Sequence, residues 1–206
     1  VGYIAIIDYG AGNLMSVHNS LHFLGYESKI ADTPDKIKQA QGVILPGVGA
    51  FPDAMEALQD SGLLQTVLEV AKEKPFLGIC LGMQLLFETS EEVRPCKGLG
   101  LLSGSIQRIQ TAYKLPQIGW NTLEILRSNA MTAGLKNGDY VYFVHSYMAV
   151  PTDEKDLSCV TDYGGRVPAM VARGNIFGCQ FHPEKSGRVG LKMLENFAKL
   201  TEEKIK

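Results

Sequence analysis

The chain of 206 residues has no apolar run near the roughly 18 residues needed to span a bilayer, so no membrane segment is expected. It has no excess of either charge. Its 20 basic and 22 acidic side chains give a net charge of -2, with neither the basic surface of a nucleic-acid binder nor an acidic tail. It has only four cysteines (Cys80, Cys96, Cys159 and Cys179) and no CxxC pair. Neither a metal site nor a disulfide framework is expected. Reduced thiols in the cytoplasm are the default. The first residues, VGYIAIIDYG, lack a basic leader and meet Asp8 early, so they read as a first strand and not a signal peptide. With no linker, repeat or low-complexity segment, residues 1–206 are expected to form one domain.

What is present is an alternation of short apolar runs and helical patterns. Residues 3–7, 43–45 and 76–79 read as buried parallel strands. Residues 14–24 carry Leu14, Val17, Leu21 and Leu24 on one helical face, closed by Gly25. Residues 53–73 read as helix with a break at Gly62, and residues 82–89 as another helix. After residue 100 strands dominate, at 103–109, 122–126 and 140–144, separated by Asn137-Gly138 and Gly164-Gly165. Residues 169–173 and 176–181 flank Gly174-Asn175 as a hairpin. A final helix over 189–200 is built on Leu191, Leu194, Phe197 and Ala198. The expected fold is α/β: an open, mixed, mostly parallel sheet flanked by helices, with antiparallel strands in the C-terminal half.

The stretch FLGICLGMQLLF at residues 76–87 holds Cys80 between Gly78 and Gly82, where strand gives way to helix. A nucleophile in a strained strand-to-helix corner needs small residues two before and two after it. Such a corner lifts the thiol out at the carboxyl end of the strand, where open α/β sheets place ligands. The helix that follows offers its N-terminus to a thiolate, and the Leu81 amide can face an oxyanion. The bland alternative is a core cysteine with two packing glycines.

A thiolate nucleophile wants a base. His18 and His22 lie one turn apart on the first helix and read as partly exposed helix residues. His145, near a strand end, is ambiguous. His182 sits where the last strand stops, and in extended chain Glu184 falls on the same side. A carboxylate there fixes the imidazole tautomer and frees the other nitrogen for a thiol. The alternative for His182-Pro183-Glu184 is a strand-end turn with a solvated glutamate.

Taken together, Pro46-Gly47-Val48-Gly49, Gly78-Ile79-Cys80-Leu81-Gly82-Met83-Gln84 and Gln180-Phe181-His182-Pro183-Glu184 resemble the class I, or triad, glutamine amidotransferases. Within that class, further stretches resemble the glutaminase subunits of imidazole glycerol phosphate synthases. These are Asp8-Tyr9-Gly10-Ala11-Gly12-Asn13, Pro116-Gln117-Ile118-Gly119-Trp120-Asn121, residues 142–147 and His182-Pro183-Glu184-Lys185-Ser186. The likeness runs from about residue 3 to residue 200. It implies Cys80 as nucleophile, His182 as base and acid, and Glu184 as the orienting carboxylate. It implies an oxyanion site at Gly47, Val48 and Leu81, and glutamine contacts from Gly49, Gln84, Glu92, Tyr142 and Ser146. No cofactor is implied.

Ammonia released into neutral water protonates and stops being a nucleophile, so a glutaminase that feeds a synthesis gains from docking on its user. The resemblance implies that the user is a (β/α)8-barrel cyclase subunit, with Asn13, Trp120, Asn121 and Lys185 at or near the interface. The two glycines of residues 46–49 also let the Gly47-Val48 peptide change orientation at low cost, so a partner can switch an oxyanion donor. Three alternatives stay open. One is a triad amidotransferase serving another synthase, such as anthranilate or pyridoxal phosphate synthase. Another is a cysteine hydrolase of peptides or small amides. The third is a non-catalytic binding module, for which Gly10-Ala11-Gly12 lacks the third glycine and the acid of a dinucleotide fingerprint.

Overall fold

The computed structural model describes residues 2–203. The first half runs β1 (Ile4–Ile7), α1 (Leu14–Phe23), β2 (Ser28–Ala31), α2 (Pro34–Gln39), β3 (Gly42–Gly47), α3 (Phe51–Asp60), α4 (Leu64–Glu73), β4 (Phe76–Cys80), α5 (Leu81–Leu85), β5 (Phe87–Ser90) and β6 (Cys96–Lys97). The second half runs β7 (Leu102–Arg108), β8 (Gln117–Thr122), β9 (Glu124–Ile125), β10 (Tyr140–His145), β11 (Tyr147–Pro151), β12 (Leu157–Asp162), β13 (Arg166–Arg173), β14 (Ile176–Cys179) and α6 (Gly187–Glu203).

The main sheet has eight strands in the order β2-β1-β3-β4-β14-β13-β12-β9. The five from β2 to β14 are parallel, and β13, β12 and β9 extend them antiparallel. This is the mixed, mostly parallel sheet expected. The inner parallel strands β1, β3, β4 and β14 are buried along their whole length because both faces are covered, while the edge strand β2 leaves Lys29 exposed. Ala5, Ile7, Val43 and Leu45 pack with Ile37, Phe51, Leu58, Val67 and Val70 of α2, α3 and α4. Ile4, Ile6, Ile44, Leu77 and Ile79 pack with Val17 and Leu21 of α1 and Met193, Leu194 and Phe197 of α6. Beside this sheet lie a two-stranded ribbon, β10-β8, and a four-stranded sheet, β11-β7-β5-β6.

Helix α1 ends as its sequence predicts. Gly25 adopts φ 84, its N–H donates to the His22 carbonyl, and the Tyr26 N–H donates to that of Leu21. Gly62 breaks α3 from α4 at φ 74, and Gly174 turns the β13–β14 hairpin at φ 59.

Several boundaries differ from the sequence reading. The helix expected over 82–89 is the five-residue α5, and residues 87–90 leave it to form β5. The cause is long-range: the Leu85, Leu86 and Phe87 carbonyls accept from N–H groups of residues 99–102. The strand expected over 122–126 is divided between β8 and β9, which belong to different sheets. Strand β3 continues through Pro46 to Gly47, because β1 stops pairing at Ile44 and leaves Pro46 no donor to supply on that side. In α6 the fully buried position is Met193, while Leu191 is half-buried. Strands β2, β6, β11 and β12 and helix α2 were not expected.

The glycine pair around Cys80 has two distinct reasons. A Cβ on Gly78 would lie 2.5 Å from the Gly82 carbonyl oxygen, so there the two flanks do meet. A Cβ on Gly82 would lie 1.8 Å from the Leu45 carbonyl oxygen of the neighbouring strand. The second clash is backbone on backbone and has no flexible partner to yield. We therefore expect Gly82→Ala to destabilise the chain by about 3 kcal/mol or more. Urea unfolding measures this directly, and a midpoint equal to wild type would show that the elbow is not packed as described.

Candidate active site

Three adjacent parallel strands end at one place. The register pairs Gly47 of β3 with Cys80 of β4, and Ile79 of β4 with Cys179 of β14. The nucleophile candidate, the oxyanion candidates and the segment leading to His182 thus share one carboxyl edge. Cys80 adopts φ 55, ψ -112, a conformation that costs a non-glycine residue on the order of 1–3 kcal/mol. The strain marks a true corner.

His182 follows β14. Its backbone N–H donates to the Tyr142 carbonyl, and its Nδ1 lies 2.8 Å from Glu184 Oε1. The two side chains are almost fully buried. They meet because Pro183–Lys185 forms a single 3-10 turn, and not because an extended chain places them on one side. Burial pushes the His182 imidazole down. The Cys80 thiol and the Glu184 carboxylate outweigh that and raise it to about 9. Nε2 makes no hydrogen bond. It is the nitrogen left over for the thiol.

A cavity of about 300 Å³ opens over this edge, a size that fits one amino acid. It is lined by Val48, Gly49, Cys80, Leu81, Gln84, Glu92, Val144, His145, Ser146, Tyr147 and His182. Most predicted site residues are therefore brought together. Gly47, Tyr142 and Glu184 are not among those lining the cavity, Glu184 being held behind His182. Gly47 lies beneath it, where a Cβ would be 2.8 Å from Tyr9 Oη. Tyr142 stands on the outer side, with its ring 5.9 Å from that of Trp120.

Glu92 is not a freely solvated glutamate. Its Oε2 accepts from the Phe51 N–H at 2.8 Å and so closes the start of α3. Burial raises its pKa, partly offset by that bond. Tyr9, whose pKa burial also raises, donates to the Pro46 carbonyl at 3.0 Å and pins the segment before Gly47. Helix α5 is too short to supply a long helix's dipole, so the expected help from that source reduces to the N–H groups of one turn.

These features, a cysteine elbow facing a His–Glu pair over an amino-acid-sized cavity, find a counterpart among known proteins. Residues 5–200 match the family model "Glutamine amidotransferase class-I". The chain belongs to that family.

Among curated relatives of this amidotransferase, the imidazole glycerol phosphate synthase subunit HisH of Bacillus cereus (strain G9842) is 52% identical over 201 residues, spanning 97% of this chain and 95% of its own. The protein of the same name from Caldanaerobacter subterraneus subsp. tengcongensis is 50% identical over 199 residues, with 96% and 98% covered. The fold matches a crystal structure titled glutamine amidotransferase with TM-score 0.76 at 19% identity, covering 98% of this chain and 100% of the other. It also matches PurLQS from Thermotoga maritima with TM-score 0.77 at 20% identity, covering 100% and 99%.

The expected interface residues divide. Trp120 is 52% exposed, so it is not a core tryptophan. Lys185 is exposed, and Asn13 occupies the N-cap position of α1 without making a capping bond. Asn121 instead turns inward: it accepts from Gln117 Nε2 at 3.1 Å and donates to the Asp162 carbonyl at 3.2 Å.

Sequence reasoning missed two contributors to this amidotransferase's site. Ser186 donates to the His182 carbonyl at 2.6 Å and accepts from the Tyr142 N–H at 3.0 Å, tying the His182 turn to β10. Its place after His182-Pro183-Glu184-Lys185 was the only signal. His145 is the other. It faces Gln117 across the ribbon, with Nε2 3.0 Å from Gln117 Oε1 and Nδ1 2.7 Å from the Tyr147 carbonyl. The chain from the Tyr147 carbonyl through His145, Gln117 and Asn121 ends at the Asp162 carbonyl. Both ends only accept, and a neutral imidazole donates only once. One contact therefore lacks a proton unless His145 is charged. Burial opposes that charge, as does His182, and holds His145 down at about 4.

The two histidines give stability two pH arms. His145 is held below its ordinary 6.5, so its contribution is full above that pH and is lost as pH falls toward about 4. His182 is held above 6.5, so its contribution is full below that pH and is lost as pH rises through about 9. Urea midpoints measured from pH 4 to 10 should rise to a maximum between the arms. His145→Asn should flatten the acid arm and His182→Asn the alkaline arm. An alkaline arm unchanged in His182→Asn would sink the assignment.

Proposed function

We propose that this amidotransferase is the glutaminase subunit of an imidazole glycerol phosphate synthase, acting as one domain over residues 1–206. The observation that carries the reading is the edge where β3, β4 and β14 end together, with Cys80 and the His182–Glu184 pair opening on one small cavity. Half-identity to the HisH proteins along nearly the whole chain names the pathway, histidine biosynthesis.

The reaction follows from the groups present. Glutamine enters with its ammonium toward Glu92, whose second oxygen is left after the bond to Phe51. The Cys80 thiolate attacks the side-chain amide carbon. The oxyanion is held by N–H groups of Leu81 and of the Gly47-Val48 segment. Imidazolium His182, oriented by Glu184, protonates the departing nitrogen, and ammonia leaves. Water, deprotonated by His182, then hydrolyses the γ-glutamyl thioester to glutamate and restores the thiol. Gly49, Gln84 and Ser146 wall the substrate, and Tyr142 acts from behind through its backbone bond to His182.

The consumer of the ammonia is a (β/α)8-barrel cyclase subunit that makes imidazole glycerol phosphate and an aminoimidazole carboxamide ribotide. Its docking face is the outer side of the β8–β10 ribbon. Ile118, Trp120 and Tyr140 are each more than half exposed there. The register places Trp120 opposite Tyr142 and Ile118 opposite the cavity residue Val144. Lys185 and Asn13 add polar contacts. No described helix is long and apolar enough to cross a membrane. We place the protein in the cytoplasm, where its four unpaired thiols suit reducing conditions.

Glutamate production should be low for the chain alone and strongly stimulated by the cyclase barrel with its nucleotide ligand, and Cys80→Ala should abolish it. Steady activity with no stimulation would point instead to another triad amidotransferase or hydrolase. The mobility of the Gly47-Val48 peptide is better tested next door than at Gly47, where a side chain would crowd Tyr9 Oη at 2.8 Å and the Gly82 nitrogen at 2.9 Å. Gly49 has φ 98 and no protein atom within 4 Å of an added Cβ, so Gly49→Ala strains the backbone without crowding the protein, and an unchanged KM for glutamine separates that strain from a methyl intruding on the substrate it walls. It should lower the stimulated rate by about 10²-fold, the loss of one oxyanion donor. Full stimulated activity in that variant would remove the peptide from the mechanism.

A further inference from the structure

Cys80 is 7% exposed and α5 offers it only one turn of helix, so the groups that meet its sulfur are those of the protein interior. The titratable groups His182, Tyr9 and Cys179 act on the sulfur, the Val144 carbonyl lies 4.0 Å from it, and one uncharged side chain also meets it, Gln180. It is fully buried, its Oε1 accepts from Gln84 Nε2 at 3.0 Å, and its own Nε2 lies 3.8 Å from Cys80 Sγ.

The direction of this amide is dictated by its neighbours. Gln84 Nε2 donates to the Tyr147 backbone carbonyl at 3.0 Å as well as to Gln180. A backbone carbonyl can only accept, so Gln84 must turn its NH₂ that way. Having done so, it presents donors to Gln180, which must answer with its oxygen. The NH₂ of Gln180 is then left facing the sulfur. Flipping either amide sets donor against donor or oxygen against oxygen in a buried place. A thiol is a poor acceptor for that N–H, and a thiolate is a good one. The ordered pair of amides therefore favours the charged form of Cys80.

We propose that Gln180 is a further catalytic residue, a fixed hydrogen-bond donor to the Cys80 thiolate, and that Gln84 is the positioning residue that sets its direction. The proposal rests on the reading of Cys80 as the nucleophile. It gives Gln84 work beyond walling the substrate: both hydrogens of its amide are committed inside the protein.

The test is the pH profile of Cys80 alkylation by iodoacetamide, followed by mass spectrometry on the full chain. It needs neither glutamine nor a partner. Gln180→Met keeps length and removes the donor. We expect its profile to move to higher pH by about one unit and alkylation at pH 7 to slow about tenfold, as for the loss of one charge-assisted bond. In the complex with a cyclase barrel, kcat should fall while KM stays. Gln180→Glu should shift the profile further, since a carboxylate repels the thiolate. If Gln180→Met does not fold, Gln84→Met decides: it keeps Gln180 and frees its amide to turn, and the profile should move the same way by less. A wild-type profile in a folded Gln180→Met, or in Gln84→Met where that variant stands in, overturns the proposal while leaving the triad intact. Wild-type Cys80 reacting no faster than Cys96 overturns the triad reading and this proposal with it.

Discussion

The pairing of β14 with β4 is the contact on which the site depends. These strands are a hundred residues apart in the chain, and their parallel register sets Ile79 beside Cys179. One residue further along β4 comes Cys80, and three residues past the end of β14 comes His182. A slip of one residue would reverse which side chains face the core and would carry the imidazole away from the sulfur. Gly178 shows how tightly that register is packed, since a Cβ there would meet the Met83 side chain at 2.4 Å. The elbow, the cavity and the His–Glu turn are all built outward from this pairing.

Strain at Cys80 is held by surroundings that cannot yield. Its φ of 55 persists because Gly82 is pressed against the Leu45 carbonyl and Gly78 against Gly82. The other side of the site is held by bonds and packing on α6. Ser186 ties the His182 turn to β10, and Gly190 lets the helix approach so closely that a Cβ would lie 1.9 Å from the Pro183 carbonyl. Two rigid supports, one under each partner, keep an unbonded Nε2 close to a thiol without locking them together before substrate arrives.

The elements built by local signals were the legible ones. β1, α1, α3, α4, β4 and α6 carry clear apolar periodicity and glycine stops, and Cys80 lies where β4 ends as expected, whereas β14 stops at Cys179, short of the expected 181, and His182 meets Glu184 through a 3-10 turn that the sequence did not announce. Elements made by distant partners were not. β5 reads as a continuation of α5 until residues 99–102 claim its carbonyls, and β2 and β12 mix polar with apolar residues because their neighbours, not their own pattern, bury them. The same holds inside the site. Glu92 and His145 could be named but not placed, and Ser186 was marked only by its place after His182-Pro183-Glu184-Lys185. Their roles are bonds to backbone groups of other elements: Phe51, Tyr147, and the Tyr142 and His182 pair.

The ribbon of β8 and β10 is the one pocket wall that is not part of a larger sheet. It joins the cavity through Val144 and His145, and its outer face carries Trp120 and Tyr142. Two strands alone are marginal in water and take their shape from what they lean on. The other walls stand on larger sheets: Cys80 ends a strand of the eight-stranded sheet, and Tyr147 begins a strand of the four-stranded one. Bracing is thus unequally shared around the cavity: the wall made by the ribbon has one hydrogen-bonded neighbour to hold each strand, while Cys80 stands on a strand paired on both sides.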